Sequence, residues 1–231
     1  MATGTLYVVP TPIGNLEDIT FRAARILKEV DVIACEDTRQ TFKLLNHLGI
    51  TKRLVSFYSY NQIRRIPELI EELRSGKNIA LVSDSGTPGI SDPGFFLVEK
   101  AISENIAVVP LPGPSAVTTA LVGSGLPSDG FVFLGFLKKK PGKMKKELAS
   151  ALKLGKTVIF YESPHRIKKT AEFLNELLPT GTRMVIAREL TKKFEEFIRG
   201  TVEEVSAQAR NRELLGEMAI LIYPLEESPD E

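Results

Sequence analysis

Short apolar runs alternate along this chain with stretches whose apolar positions recur every three or four residues. The runs predict strands at 5–9, 32–35, 53–57, 78–82 and 106–109, and the longer periodicity predicts helices near 20–29, 38–48, 61–75 and 94–104. Boundary signals agree: Thr20, Thr38 and Asn61 can cap helix starts, and Gly49 and Gly76 can end helices. Strand–helix alternation of this kind implies a mostly parallel sheet covered on both faces. Pro110-Leu111-Pro112-Gly113-Pro114-Ser115 then makes a stiff link, with Ser115 placed to cap a helix from Ala116 to Val122. A second set follows: strands near 131–135, 156–161, 183–187, 194–199 and 217–223, and helices near 143–154, 165–178 and 202–213. A capping box, Thr201-Val202-Glu203-Glu204, opens the last helix. The expected organisation is two α/β domains, 1–112 and 113–225, followed by an acidic, disordered tail at 226–231.

Composition narrows the class. The 231 residues are 43% hydrophobic with a net charge of +1, enough apolar content for a sizeable core. One cysteine, Cys35, allows no internal disulfide, and two histidines supply no zinc ligand set, so no metal is expected. Met1 to Gly4 run straight into the first strand, leaving no room for a signal peptide. Ala2 rules out a myristoyl anchor, and no apolar stretch reaches membrane-spanning length. A cytoplasmic protein without membrane contact is the expectation.

The loop Ser83-Asp84-Ser85-Gly86-Thr87-Pro88-Gly89-Ile90-Ser91-Asp92-Pro93-Gly94 carries most of the functional information. It joins a buried strand to a helix. Its glycines and prolines fix a tight path that lets a ligand approach the main chain. Open α/β sheets bind ligands where strands end in such loops. Familiar nucleotide fingerprints are missing: no Gly-x-Gly-x-x-Gly follows a strand, and Gly155-Lys156-Thr157 leads into a strand with Ser150 where a P-loop needs glycine. Polar strand ends recur at Pro10-Thr11-Pro12-Ile13-Gly14-Asn15-Leu16-Glu17-Asp18, Glu36-Asp37-Thr38-Arg39 and Tyr161-Glu162-Ser163-Pro164-His165-Arg166.

With Pro112-Gly113-Pro114-Ser115-Ala116 and Ala187-Arg188-Glu189-Leu190-Thr191-Lys192, these blocks resemble the tetrapyrrole methylase superfamily from Leu6 to about Tyr223. Within it they resemble the ribosomal RNA small-subunit methyltransferase I branch. The resemblance implies two α/β domains with an S-adenosylmethionine cleft between them. It also implies 2′-O-methylation of a cytidine ribose in 16S ribosomal RNA, acting on that RNA or on the small ribosomal subunit, by a homodimer. It places the cofactor on Pro12, Ile13, Gly14, Gly86, Thr87, Ile90, Ser115 and Ala116, with Ala187 from the second domain. Pro10-Thr11-Pro12-Ile13-Gly14 departs from the glycine-rich first loop of the C-methylases, and Gly86-Thr87-Pro88 departs from their Gly-Asp-Pro. Both departures weigh against a porphyrinoid substrate.

Methyl transfer to a ribose hydroxyl needs alignment above all, and a general base adds about 10²–10⁴-fold. Asp84 and Asp37, at strand ends, are the candidate catalytic carboxylates; Asp37 suits capping of the following helix with Thr38 slightly better than catalysis, whereas Asp84 has little evident structural purpose. A bulky residue at Gly86 is expected to block the cofactor and spare the fold. Between Phe136 and Lys156 the chain carries eight lysines against one acid, Glu147. Lys138, Lys139, Lys140, Lys143, Lys145 and Lys146 suit phosphate contact; Pro141-Gly142 interrupts the run, which puts its first half on a mobile loop after the strand 131–135. Arg39, Arg166, Arg188 and Lys192 extend this RNA-binding surface, with Phe57, Tyr58 and Tyr60 available to stack on unpaired bases. A small-molecule methyltransferase and a non-catalytic RNA-binding or cofactor-sensing module are the competing readings.

Overall fold

A computed structural model describes residues 3–224; the acidic stretch 226–231 lies outside the described residues. The chain divides between Ser115 and Ala116 into two compact units. In the first, β1 (Thr5–Val8), β2 (Val32–Cys35), β3 (Arg53–Ser56), β4 (Ile79–Val82) and β5 (Ala107–Pro110) form one sheet in the order β3-β2-β4-β1-β5. Every pairing is parallel. β2 and β4 are buried at all four positions, as expected of strands covered on both faces.

The helices divide between those faces. α1 (Phe21–Glu29) and α2 (Thr38–His47) contribute Ala23, Ile26, Leu27, Leu44 and Leu45 to one apolar cluster. α3 (Gln62–Arg74) and α4 (Phe95–Ser103) contribute Leu69, Ile70, Leu73, Leu97 and Ala101 to the other. The spacing of Ala23, Ile26 and Leu27 places all three on one side of α1, and burying a leucine or isoleucine fully is worth about 1.5–3 kcal/mol. Thr20 caps α1 through Ala23 N–H, but the cap of α2 is Asp37, one residue ahead of the expected Thr38. Phe57 is 1% exposed inside the second cluster, which removes it from any base-stacking role; Tyr58 and Tyr60 are on the surface.

The second unit is built differently. β6 (Phe131–Phe136), β7 (Thr157–Glu162), β8 (Arg183–Arg188), β9 (Glu196–Thr201) and β10 (Met218–Tyr223) lie in the order β6-β7-β10-β8-β9. Only β6 and β7 pair in parallel; β10 runs antiparallel to both β7 and β8, and β9 antiparallel to β8. One face is covered by α6 (Pro141–Leu152), α7 (Ile167–Leu177) and α8 (Val202–Asn211), through Met144, Leu148, Ile167, Leu174, Val202 and Val205. α5 (Ala116–Ser124) packs on the sheet as well, where Gly123 leaves room for the Phe197 ring. The capping box at Thr201 and Glu204 opens α8 as expected.

The lysine segment divides into a connection and a helix as expected, but the helix starts two residues earlier than expected. Pro141 occupies the first turn of α6, where its missing N–H costs nothing. Lys138, Lys139 and Lys140 therefore stay in the connection, while Lys143, Lys145 and Lys146 ride on the exposed side of a helix held down by Met144, Leu148 and Ala151.

Candidate functional site at the edge of the first sheet

β1 and β4 are neighbours, yet the chain leaves them in opposite directions. From β1 it crosses by α1 on one face toward β2; from β4 it crosses by α4 on the other face toward β5. This divergence creates the crevice in which open α/β sheets bind ligands. Both loops with the strongest sequence signal start here.

They are tied together by a two-residue bridge. Thr11 N–H donates to the Gly86 carbonyl at 2.9 Å, and Gly86 N–H donates to the Thr11 carbonyl at 3.0 Å. The Thr11 hydroxyl donates to the Ser83 carbonyl at 3.1 Å, and the Ser83 hydroxyl to the Gly86 carbonyl at 3.1 Å. The Thr87 hydroxyl reaches the Pro114 carbonyl at 3.0 Å, joining the Pro112–Ser115 segment to the same edge. Three of the expected cofactor segments thus converge. Gly86 has φ +86°, and a β-carbon there would sit 3.2 Å from Ile13 Cγ2. A bulky residue at Gly86 would strain the bridge itself, contrary to the expectation that it spares the fold. Gly14 is exposed and Ile90 is 41% exposed, so the cradle presents main chain and apolar surface outward.

Carboxylates rim this cradle at the adjoining end of β2. The Asp84 carboxylate accepts the Asp37 backbone N–H at 2.9 Å, so Asp84 has a structural task that the sequence did not reveal. Asp37 in turn accepts the Arg39 backbone N–H at 2.8 Å and pairs with its guanidinium at 2.6 Å. The Arg39 hydrogen bonds hold the Asp37 carboxyl at about 2, well below the usual range. Burial, reinforced by the charges of Asp84 and Asp37, raises Glu36; burial also raises Asp84. Burial and then the Glu36 charge push Asp92 up to about 7, against a hydrogen bond from Ser83. Glu36 and Asp92 were not singled out from sequence, because only the fold brings them together. Burial lifts the Cys35 thiol to about 11, leaving no reactive thiolate. No group of three or more metal-ligating side chains occurs among the described residues.

The remaining expected site residues are in the second unit or at the boundary. Ser115 precedes α5 and Ala116 is its first residue, both half-buried. Ala187 is fully buried in β8, paired with Ala219 and Phe197 in the middle of the sheet. Several cations named for RNA contact are engaged internally. Arg166 lies 3.4 Å from the buried Glu162 carboxylate and reaches the Leu137 carbonyl at 3.4 Å. Arg188 donates to the Leu215 and Phe194 carbonyls, and Lys192 pairs with Glu189 at 3.0 Å and Glu217 at 2.9 Å. Lys156, at the end of the lysine-rich stretch, pairs with Asp129. Lys138 to Lys140 and Lys143, Lys145 and Lys146 are exposed.

Comparison with known proteins places the chain. Residues 5–206 match the tetrapyrrole (corrin/porphyrin) methylase family. A "Ribosomal RNA small subunit methyltransferase I" of Halalkalibacterium halodurans is 53% identical over 220 residues, covering 95% of this chain and 75% of the relative. The same-named protein of Bacillus subtilis is 50% identical with the same coverage. Among solved structures, the uroporphyrin-III C-methyltransferase of Thermus thermophilus complexed with S-adenyl homocysteine has the same fold. It superposes with a TM-score of 0.66 at 19% identity, over 94% of this chain and 97% of that one. Family match, relatives similar over 95% of this chain, and fold agree that the chain belongs to the tetrapyrrole methylase family, among its ribosomal RNA small subunit methyltransferase I relatives.

Proposed function

We propose that this chain is an S-adenosylmethionine-dependent methyltransferase that 2′-O-methylates a cytidine ribose in 16S ribosomal RNA, on the RNA or on the small subunit. The observation that carries the reading is the 50–53% identity, over 95% of this chain, to relatives of that name, joined to a switch-point cradle of matching chemistry. S-adenosylmethionine presents an adenosine edge, a flexible methionine tail and a cationic sulfonium. Exposed surface at Gly14 and Ile90, beside the half-buried Pro12 and Thr87 and above the buried Ile13 and Gly86, suits the first two. The rim of Glu36, Asp37, Asp84 and Asp92, with Arg39 paired to Asp37, suits the positive charge.

When bound, the cofactor supplies a methyl group already activated by the sulfonium. The protein's part is alignment and water exclusion, worth about 7–11 kcal/mol when geometry is ideal. Of the two carboxylates named from sequence, Asp37 is the poorer proton acceptor, since its helix cap and Arg39 pairing stabilise the anion. Asp84 is the better candidate base, its affinity for a proton raised by burial. The exposed lysines of the β6–α6 connection and of α6 supply sequence-independent phosphate contact.

No helix among the described residues is long and apolar enough to cross a membrane. A homodimer in the cytoplasm completes the proposal, and sedimentation of the purified chain tests the dimer. The deciding experiment is a single turnover with labelled S-adenosylmethionine and small ribosomal subunits. Label on a ribose 2′-oxygen of a cytidine supports the reading. Transfer to a porphyrinoid instead, or no transfer to RNA or particle, overturns it.

A further inference from the structure

The edge strand β6 carries a one-residue irregularity with a consequence for its side chains. Phe131, Val132 and Phe133 pair in register with Thr157, Val158 and Ile159, but Phe136 pairs with Tyr161, one position short of the regular count. Gly135, at φ +63°, supplies the left-handed turn of this bulge. In a regular strand, Phe133 and Phe136 are three residues apart and point to opposite faces. The extra residue reverses that parity and puts both rings on the face of Tyr161. The Phe133 and Phe136 centroids lie 5.0 Å and 5.5 Å from that of Tyr161.

Past the bulge Phe136 is 56% exposed, and Phe131, at the other end of the strand, is 43% exposed. The next residue, Leu137, returns to the buried core, and its carbonyl is held by the Arg166 guanidinium beside Glu162. Lys138, Lys139 and Lys140 follow at once, all exposed. An aromatic surface bordered by flexible cations is the combination that binds unpaired nucleotides: rings stack on bases while ammonium groups meet phosphates.

We propose that Phe136, backed by Tyr161 and Phe133, is a stacking platform for an unpaired base of the RNA substrate, and that Lys138–Lys140 hold the adjoining phosphates. The occupant is single-stranded RNA because the aromatic face and the lysine cluster are consecutive in the chain and complementary to its two components. This inference rests on the RNA-substrate reading above and goes beyond it by naming where and how a base is held.

The chain has no tryptophan, so Phe136→Trp creates a single indole reporter on the platform. Its fluorescence is titrated with a short single-stranded oligoribonucleotide and with an abasic oligomer of equal length and charge. In parallel, dissociation constants are measured for the parent, Phe136→Ala and Phe136→Leu. Quenching by the base-bearing strand alone, with a loss of about tenfold or more in affinity for it in Phe136→Ala, supports the proposal. Abasic affinity and salt slope stay at the parent's values, and Phe136→Leu recovers only part of the loss. Unchanged base-bearing affinity in Phe136→Ala, while the parent binds RNA, overturns the platform and leaves the substrate reading standing. Unchanged affinity with an altered oligomeric state assigns the face to a second copy of the chain and also overturns it. If the parent binds neither oligomer nor small-subunit RNA, both readings fall.

Discussion

Replacing Asp92 with asparagine should stabilise the protein at pH 8 and do little at pH 4.5. The Asp92 carboxyl is held at about 7 in the fold by burial and by the Glu36 and Asp84 charges, against an ordinary value of 3.8. Its folded pKa is raised, so the folded chain binds more protons than the unfolded chain between pH 4 and pH 7. Stability therefore falls as pH rises through that window, and the cost is complete above pH 7. Three pKa units correspond to a ceiling of about 4 kcal/mol. Asp92 is only partly buried, so solvent screening reduces this to about 1–2 kcal/mol. Asparagine removes the ionisation and relieves Glu36 and Asp84 in the same direction. Asp37, held at about 2, titrates below the window and does not interfere. Urea denaturation of parent and Asp92→Asn at the two pH values measures the effect. A variant whose stability relative to the parent is the same at pH 4.5 and pH 8 would refute the assignment of the raised pKa to Asp92.

Gly86→Ala should cost about 1–2 kcal/mol in urea denaturation, because φ +86° is unfavourable for any residue with a β-carbon. It should also weaken S-adenosylmethionine binding by calorimetry, since the new methyl presses on Ile13; unchanged stability and affinity would remove the bridge from the argument. Glu162→Ala should lower stability by about 3 kcal/mol, as it strips the acceptor from the Ser163 N–H and the Thr170 hydroxyl and leaves Arg166 without its carboxylate. A loss under about 0.5 kcal/mol, the range of an ordinary surface substitution, would show that this network is not holding the start of α7. Converting Lys138, Lys139 and Lys140 to alanine should change the salt slope of single-stranded RNA binding by roughly two units, at about 0.7 per phosphate contact. Cofactor affinity should stay unchanged, and an unaltered RNA slope would make the segment a solvated surface only.

Element positions were legible in the sequence because hydrophobic periodicity and caps are local properties of the chain. β2 occupies the expected 32–35, and α1, α3 and α4 fall within one residue of expectation at each end. The glycine-rich loop at 83–94 and the Thr11–Gly14 loop were recognisable for the same reason: backbone freedom leaves a compositional mark. What neighbours do to one another was not legible. Helical crossovers do join parallel strands in the second unit, β7 to β8 and β9 to β10, but β10 inserts antiparallel between β7 and β8. That insertion depends on long-range packing that no local pattern encodes. Phe57 and Phe136 read alike as aromatic residues near strand ends. Tertiary packing buries the first, and a bulge on an edge strand turns the second outward. Asp84, Glu36 and Asp92 are separated in sequence by up to 56 positions, and only the pairing of β2 with β4 brings their charges together. Sequence thus determined which segments could carry chemistry, while the folded arrangement decided which carboxylates share a field, because Coulombic and desolvation effects act through space and not along the chain.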